Sequence, residues 1–161
     1  MGLCPALAGQ FFSLKLRKRV EILEKLELMF SVIETGISFL SVPSSELVQV
    51  LTGKEELRDL EFLTQCDSMI SDGLTFREAW LNSLSVRKNT RYMNSNDVAL
   101  LRLFCENFGV SDVKGEVSNC RFCNSLLKEH IADARAKKEK YSNILSGLGI
   151  FTGFALIVVL Y

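Results

Sequence analysis

Residues 23–40 read LEKLELMFSVIETGISFL. Within them Leu23, Leu26, Phe30, Ile33, Ile37 and Leu40 recur at alternating steps of three and four, which puts all six on one stripe of an α-helix. A helix with one apolar stripe must bury it against other elements, so this segment predicts a long helix packed on further helices. Glu21, Glu24, Lys25, Glu27 and Glu34 lie off the stripe and are expected on a solvated face. Pro43 ends the helix, because it brings no backbone N–H and its ring excludes helical geometry for the residue before it.

Similar signals repeat toward the C-terminus. Pro43 and Ser44 open a short helix through Leu51 that Gly53 closes. A third helix is predicted from Lys54 through Leu57, Leu60, Leu63 and Ile70, stopping at Gly73. Thr75 followed three residues later by Glu78 is a capping box, in which each side chain satisfies a backbone donor at a helix start. It opens a fourth helix with Phe76, Trp80, Leu81 and Leu84. The polar stretch from Arg87 to Asn96 reads as a long loop. Asn96 or Ser95 then caps a fifth helix whose face is Val98, Leu101, Phe104, Cys105 and Phe108, before Gly109 ends it in a left-handed cap. Ser111 and Asp112 start a sixth helix, which meets no breaker before the chain ends. No stretch alternates with period two for long enough to be a strand. The expected fold is all-α, a six-helix bundle with one buried seam per helix.

The C-terminal end of that sixth helix has a different composition. Ile144 to Tyr161 carry no charge, and as a helix they reach roughly 27 Å, close to the hydrocarbon thickness of about 30 Å. Phe151, Phe154, Leu156, Ile157, Val158, Val159 and Leu160 cover every face, whereas a surface helix keeps a polar one. Gly147, Gly149 and Gly153 would each weaken a helix in water by about 1 kcal/mol but are common in transmembrane helices. Residues 142–161 are therefore read as a C-terminal transmembrane helix, in preference to a buried core helix.

Charge is segregated along the chain. The 161 residues carry 19 basic and 19 acidic side chains, yet eight of the basic ones form two blocks: Lys15, Arg17, Lys18, Arg19 and Arg135, Lys137, Lys138, Lys140. Residues 20–134 hold eleven basic and eighteen acidic side chains, so the body is acidic. Nucleic acid is not an expected partner, since phosphate binding needs a basic face. Basic clusters beside an apolar segment mark the cytoplasmic side of a membrane and are attracted to anionic lipid. The reading is a cytoplasmic helical domain over 15–141, with the C-terminus across the bilayer. Residues 1–14 are uncharged but interrupted by Gly2, Pro5, Gly9 and Gln10. With the basic block after them, they read as the stump of a transmembrane segment rather than a signal peptide.

Cys4, Cys66, Cys105, Cys120 and Cys123 are an odd number of cysteines, expected as reduced thiols in a cytoplasmic domain. Cys120 and Cys123 form a CxxC, which with Cys105 and His130 invites a metal or redox reading, kept as the alternative function. A continuous sixth helix weighs against it by putting His130 about 10 Å along the axis from Cys123, too far to share a metal. His130 is then expected as a polar histidine on the helix surface. No nucleophile stands at a strand-to-helix turn, and the GxG at Gly147 lacks the lysine, strand and helix start of a phosphate loop. No catalytic residue, metal or cofactor is expected.

The order of segments carries a resemblance. A basic block precedes Leu23 to Leu40, which contains Ile33-Glu34-Thr35-Gly36-Ile37-Ser38-Phe39, and Pro43 follows. Then come Phe76-Arg77-Glu78-Ala79-Trp80, Phe108-Gly109-Val110-Ser111-Asp112, and Lys140-Tyr141 leading through Gly147-Leu148-Gly149 into the apolar tail. From about Phe11 onward the chain resembles the stage III sporulation protein AB family of endospore-forming bacteria. The resemblance implies a protein of the mother-cell membrane around the forespore, within the assembly that joins the two cells. It implies a helical domain similar to the F-type platform domain of type II secretion. As partners it implies the stage III sporulation protein AA ATPase and other proteins of the same operon, and it allows an oligomer. Family members begin with a full apolar span. Here only Phe11, Phe12 and Leu14 match its cytoplasmic end, and Met1 to Gln10 read as unrelated.

Overall fold

Leu23, Leu26, Phe30 and Ile33 are fully buried and Ile37 nearly so, as the three-four spacing requires. Their partners are Cys120, Cys123, Leu127, Ile131 and Ala134, buried in the same core at the same helical spacing. The computed structural model describes the backbone of residues 4–40 and 43–160, and the side chains of 11–39, 43 and 46–144. The side chain of Leu40, the last of the stripe, lies outside the described residues. Six α-helices and no strand occur among them: α1 (Cys4–Thr35), α2 (Ser44–Thr52), α3 (Glu61–Ser71), α4 (Phe76–Ser85), α5 (Ser95–Asn107) and α6 (Val113–Leu160). A π-helical turn, Gly36–Leu40, extends α1, and a 3-10 turn, Glu55–Leu57, precedes α3.

The spine is an antiparallel pair of α1 and α6. Ion pairs Glu24–Arg135 (2.7 Å), Glu27–Lys128 (3.9 Å) and Glu34–Arg121 (2.7 Å) fix the register, one number rising as the other falls. The solvated face expected for Glu24, Glu27 and Glu34 is thus the rim of the helix interface, and Lys25 likewise pairs with Asp59. Helices α2 to α5 pack around this pair. Their core is aromatic: Trp80 stacks edge-on against Phe62 with ring centres 5.2 Å apart, and lies 5.6 Å from Phe104, which is 5.1 Å from Phe30. The Trp80 indole N–H donates to the Leu101 carbonyl at 3.0 Å, so its one polar atom is satisfied inside the core.

Local chemistry explains the boundaries. The Thr75–Glu78 capping box forms as expected, with the Thr75 N–H donating to the Glu78 carboxylate at 3.0 Å and the Glu78 N–H to Thr75 Oγ1 at 3.3 Å. Gly73 and Gly109 adopt φ of 99° and 81°, the left-handed conformation in which a side chain is strained. Three expected boundaries move. The first helix begins at Cys4 instead of Leu23, carrying through Lys15 to Arg19 without a break. The helix expected from Lys54 starts at Glu61, because the chain first makes the 3-10 turn that buries Leu57. The cap of α5 is Asn94, not Asn96 or Ser95. Its side chain accepts from the Asp97 N–H at 2.8 Å, while Asp97 accepts from the Asn94 N–H at 2.9 Å.

Candidate functional site

The antiparallel register brings the two basic blocks, more than a hundred residues apart in sequence, to the same end of the bundle. There the rings of Phe12 and Tyr141 lie 4.7 Å apart, flanked by the exposed Phe11, Leu14 and Ile144. The loop 86–94 between α4 and α5 reaches the same end: Tyr92, Met93 and Asn94 line a cleft with Phe12, Lys15, Lys137, Lys140 and Tyr141. This loop brings Arg87, Lys88 and Arg91 to the basic end. Sequence spacing gave no sign of that, because it depends on how α4 and α5 pack.

The eight basic residues have different surroundings. Lys15, Arg17, Lys138 and Lys140 make no ion pair among the described residues, and Lys15, Arg17 and Lys140 are exposed. Lys18 bonds Glu21 at 2.7 Å, Lys137 bonds Asp133 at 2.9 Å, and Arg135 bonds Glu24. Arg19 instead turns inward and is only 8 % exposed. Its Nε and one terminal nitrogen donate to the two Asp97 oxygens at 2.8 and 3.0 Å, a planar fork on a carboxylate. The bonds to Asp97 raise the Arg19 guanidinium above its ordinary value.

The same carboxylate also meets His130, whose Nδ1 lies 2.8 Å from Asp97 Oδ1. Asp97 is 1 % exposed and is further held by the Asn94 N–H. His130 is therefore a half-buried member of an Arg19–Asp97–His130 network that ties α1, α5 and α6 together, not the surface histidine expected from its place on a polar helix. Asp97 is the residue that sequence reasoning missed. Its only local signal is the three-residue step from Asn94.

The residues of the metal or redox alternative do not converge. Cys105 sits on α5 with its Sγ 3.9 Å from the Arg77 carbonyl, and Cys123 Sγ lies 3.8 Å from Asn119 Oδ1. Cys66, Cys105, Cys120 and Cys123 are free and buried. Burial pushes Cys66 and Cys120 up to about 12, and Cys105 and Cys123 up to about 11. Such thiols are poor nucleophiles, since attack needs the thiolate. Among the described residues no group of three or more histidine, cysteine and acidic side chains could hold a metal ion.

Among the described residues no helix is long and apolar enough to cross a membrane. The expected span lies outside them: the backbone of α6 runs to Leu160, but the side chains of 145–161, including Phe151, Phe154, Leu156, Ile157, Val158, Val159 and Leu160, are not among those described. Ile144 is 48 % exposed.

The family model of stage III sporulation protein AB matches residues 3–161. The chain belongs to that family. The match begins at residue 3, so the segment read as unrelated, Met1 to Gln10, shares the family pattern over nearly all its length, in keeping with a helix that starts at Cys4. A solved structure titled stage III sporulation protein AB is similar, with 16 % identity and a TM-score of 0.59, over 76 % of this chain and 98 % of that one. At that identity the likeness carries the fold alone, and the all-helical architecture is common to both. No curated protein matches the chain. Membership in the stage III sporulation protein AB family gives the protein a role in sporulation.

Proposed function

We propose that this protein is a non-catalytic membrane platform of the mother cell, in the assembly that connects it with the forespore. The observation that carries the reading is the convergence of both basic blocks at the end of the bundle where α6 continues into the uncharged run 144–161. A transmembrane helix over 142–161 holds the bundle at the bilayer with the domain 15–141 on the cytoplasmic side. The positive-inside rule supports that side. The acidic body then faces the cytoplasm, where it docks the stage III sporulation protein AA ATPase and neighbouring membrane subunits, in the manner of an F-type platform.

Surface chemistry supports a docking role for the far end. The π-helical turn and the start of α6 form a shallow groove with Ser38, Val113 and Val117 in its wall, and Phe39, Val110 and Val113 stay 82 %, 72 % and 53 % exposed nearby. Clustered exposed apolar side chains are typical of interaction surfaces. Co-purification of the tagged full chain from sporulating membranes tests the proposal. Recovery of the ATPase or of membrane proteins of the same operon is the expected result, and recovery of none of them would overturn the docking role.

A further inference from the structure

The cations at the basic end do not all have carboxylates near them. One cleft beside the loop 86–94 contains Lys18, Arg58, Lys88 and one side of Arg91 together with Glu21, Asp59 and Glu61, a mixed surface. The cleft on the other side of the loop differs. Lys15, Arg87, Arg91 and Arg102 line it with no carboxylate among the described residues. Two adjoining clefts also lack a carboxylate: one holds Lys15, Arg19, Lys137 and Lys140, the other Lys15, Lys18 and Arg91.

Lys18, Arg19 and Lys137 are paired with Glu21, Asp97 and Asp133, but the cations of the loop are less completely neutralised. Arg87 makes no ion pair among the described residues, and the single Glu61 is shared between Lys88 at 3.4 Å and Arg91 at 3.5 Å, leaving a surplus positive charge on the loop. Arg91 also lies over the Tyr92 ring, 4.6 Å from its centre. Phe11 and Leu14 stand beside the loop, 75 % and 57 % exposed. Adjacent cations and apolar side chains on one surface suit the boundary where lipid headgroups meet acyl chains.

We infer that the loop between α4 and α5 is a lipid contact of its own, in which Arg87 and Arg91, facing Lys15 of α1, hold the headgroups of anionic phospholipids. The inference rests on the membrane reading above and adds a surface to it. The bundle is then not tethered only by its tail but seated on the bilayer by three separate segments, 15–18, 87–91 and 137–140, which fixes its orientation as well as its position. Each cation near an anionic surface multiplies the bound population about fivefold. Removing the two arginines therefore lowers headgroup occupancy at the loop about twenty-five-fold.

The test uses the full chain carrying Thr90→Cys in a Cys4→Ser background, labelled at the introduced thiol with an environment-sensitive dye, and reconstituted into vesicles containing brominated lipid. One set is phosphatidylcholine alone, and the other contains phosphatidylglycerol. Quenching of the loop label is expected with phosphatidylglycerol and weak without it. It should disappear in about 1 M salt, where the screening length is about 3 Å. Arg87→Glu with Arg91→Glu should abolish it, while Arg87→Lys with Arg91→Lys retains it and guards against a folding defect. Flotation of the same samples separates the two claims. A chain that floats with both vesicle types yet gives equal quenching on each overturns the loop contact and leaves the anchor standing. A chain that floats with neither overturns the anchor and the contact with it.

Discussion

At the scale of single residues, Asp97 is the most consequential side chain in the molecule. It accepts from Arg19 twice, from the Asn94 N–H, and meets His130, all from a position cut off from water. Removing it strands Arg19, whose remaining acidic neighbour is the half-exposed Asp133 at 3.7 Å. Asp97→Ala should cost about 3–5 kcal/mol, the usual penalty for leaving a buried charge unpaired. Arg19→Met should cost clearly less, because Asp97 keeps His130 and the Asn94 N–H. Urea unfolding of the two variants checks the order, and equal losses would mean that the network is not centred on Asp97. The buried thiols make a second prediction at this scale. Their folded values lie near 11 to 12 against an ordinary 9.0. Below pH 9 both states keep the proton and stability is full. Above it the unfolded thiols ionise and the folded ones do not, so stability falls as pH rises from 9 toward 11 to 12. The urea midpoint should decline over that window, and Cys123→Ala should decline less steeply relative to its own value at pH 8.

At the scale of elements, helix ends show what a sequence reveals and what it hides. The Thr75–Glu78 box was legible because both partners sit within one turn, and its hydrogen bonds depend on nothing distant. Thr75→Ala should cost about 1 kcal/mol, seen as a lower urea midpoint with an unchanged slope. Gly109 was legible for the same local reason. The start of α3 was not, because the apolar step from Leu57 to Leu60 and Leu63 reads as helix, while packing pulls Leu57 into the core through a 3-10 turn. The cap of α5 was misplaced by one or two residues among four adjacent polar ones, Asn94 to Asp97. Aspartate at the third helical position acted where glutamate is the usual signal. The Arg19–Asp97 pair spans 78 residues. Inside the run Lys15 to Arg19, the three-four stripe carried back from Leu23 falls on Arg19 and then Leu16, both buried, so the spacing marks the cation that turns inward but not its partner. Only the packing of α5 against α1 and α6 supplies that partner.

At the scale of the whole molecule, the buried core of the described residues and the uncharged run 144–161 occupy different parts of the sequence. The six-helix plan was legible because each stripe and breaker is local, whereas the convergence of the loop 86–94 with both basic blocks emerges only once the helices are packed. Every buried apolar side chain among the described residues lies between Leu16 and Ala134. Among the described residues the core thus ends before residue 142, and the ion pairs along α1 and α6 end at Lys137 and Asp133. A fragment of residues 15–141 should therefore fold on its own, with a helical circular dichroism spectrum and one cooperative urea transition. It should also separate two attractions that the full chain combines. Without the uncharged run the fragment should stay off neutral phosphatidylcholine vesicles. On phosphatidylglycerol vesicles it should bind through its cations and be released by salt, because screened charge is all that remains to hold it. The full chain should float with both and resist salt. A fragment that melts without cooperativity would place part of the core in the tail. A fragment that floats with neutral vesicles would move the anchor into the bundle, and the exposed Phe11 and Leu14 would be absent from it as an explanation.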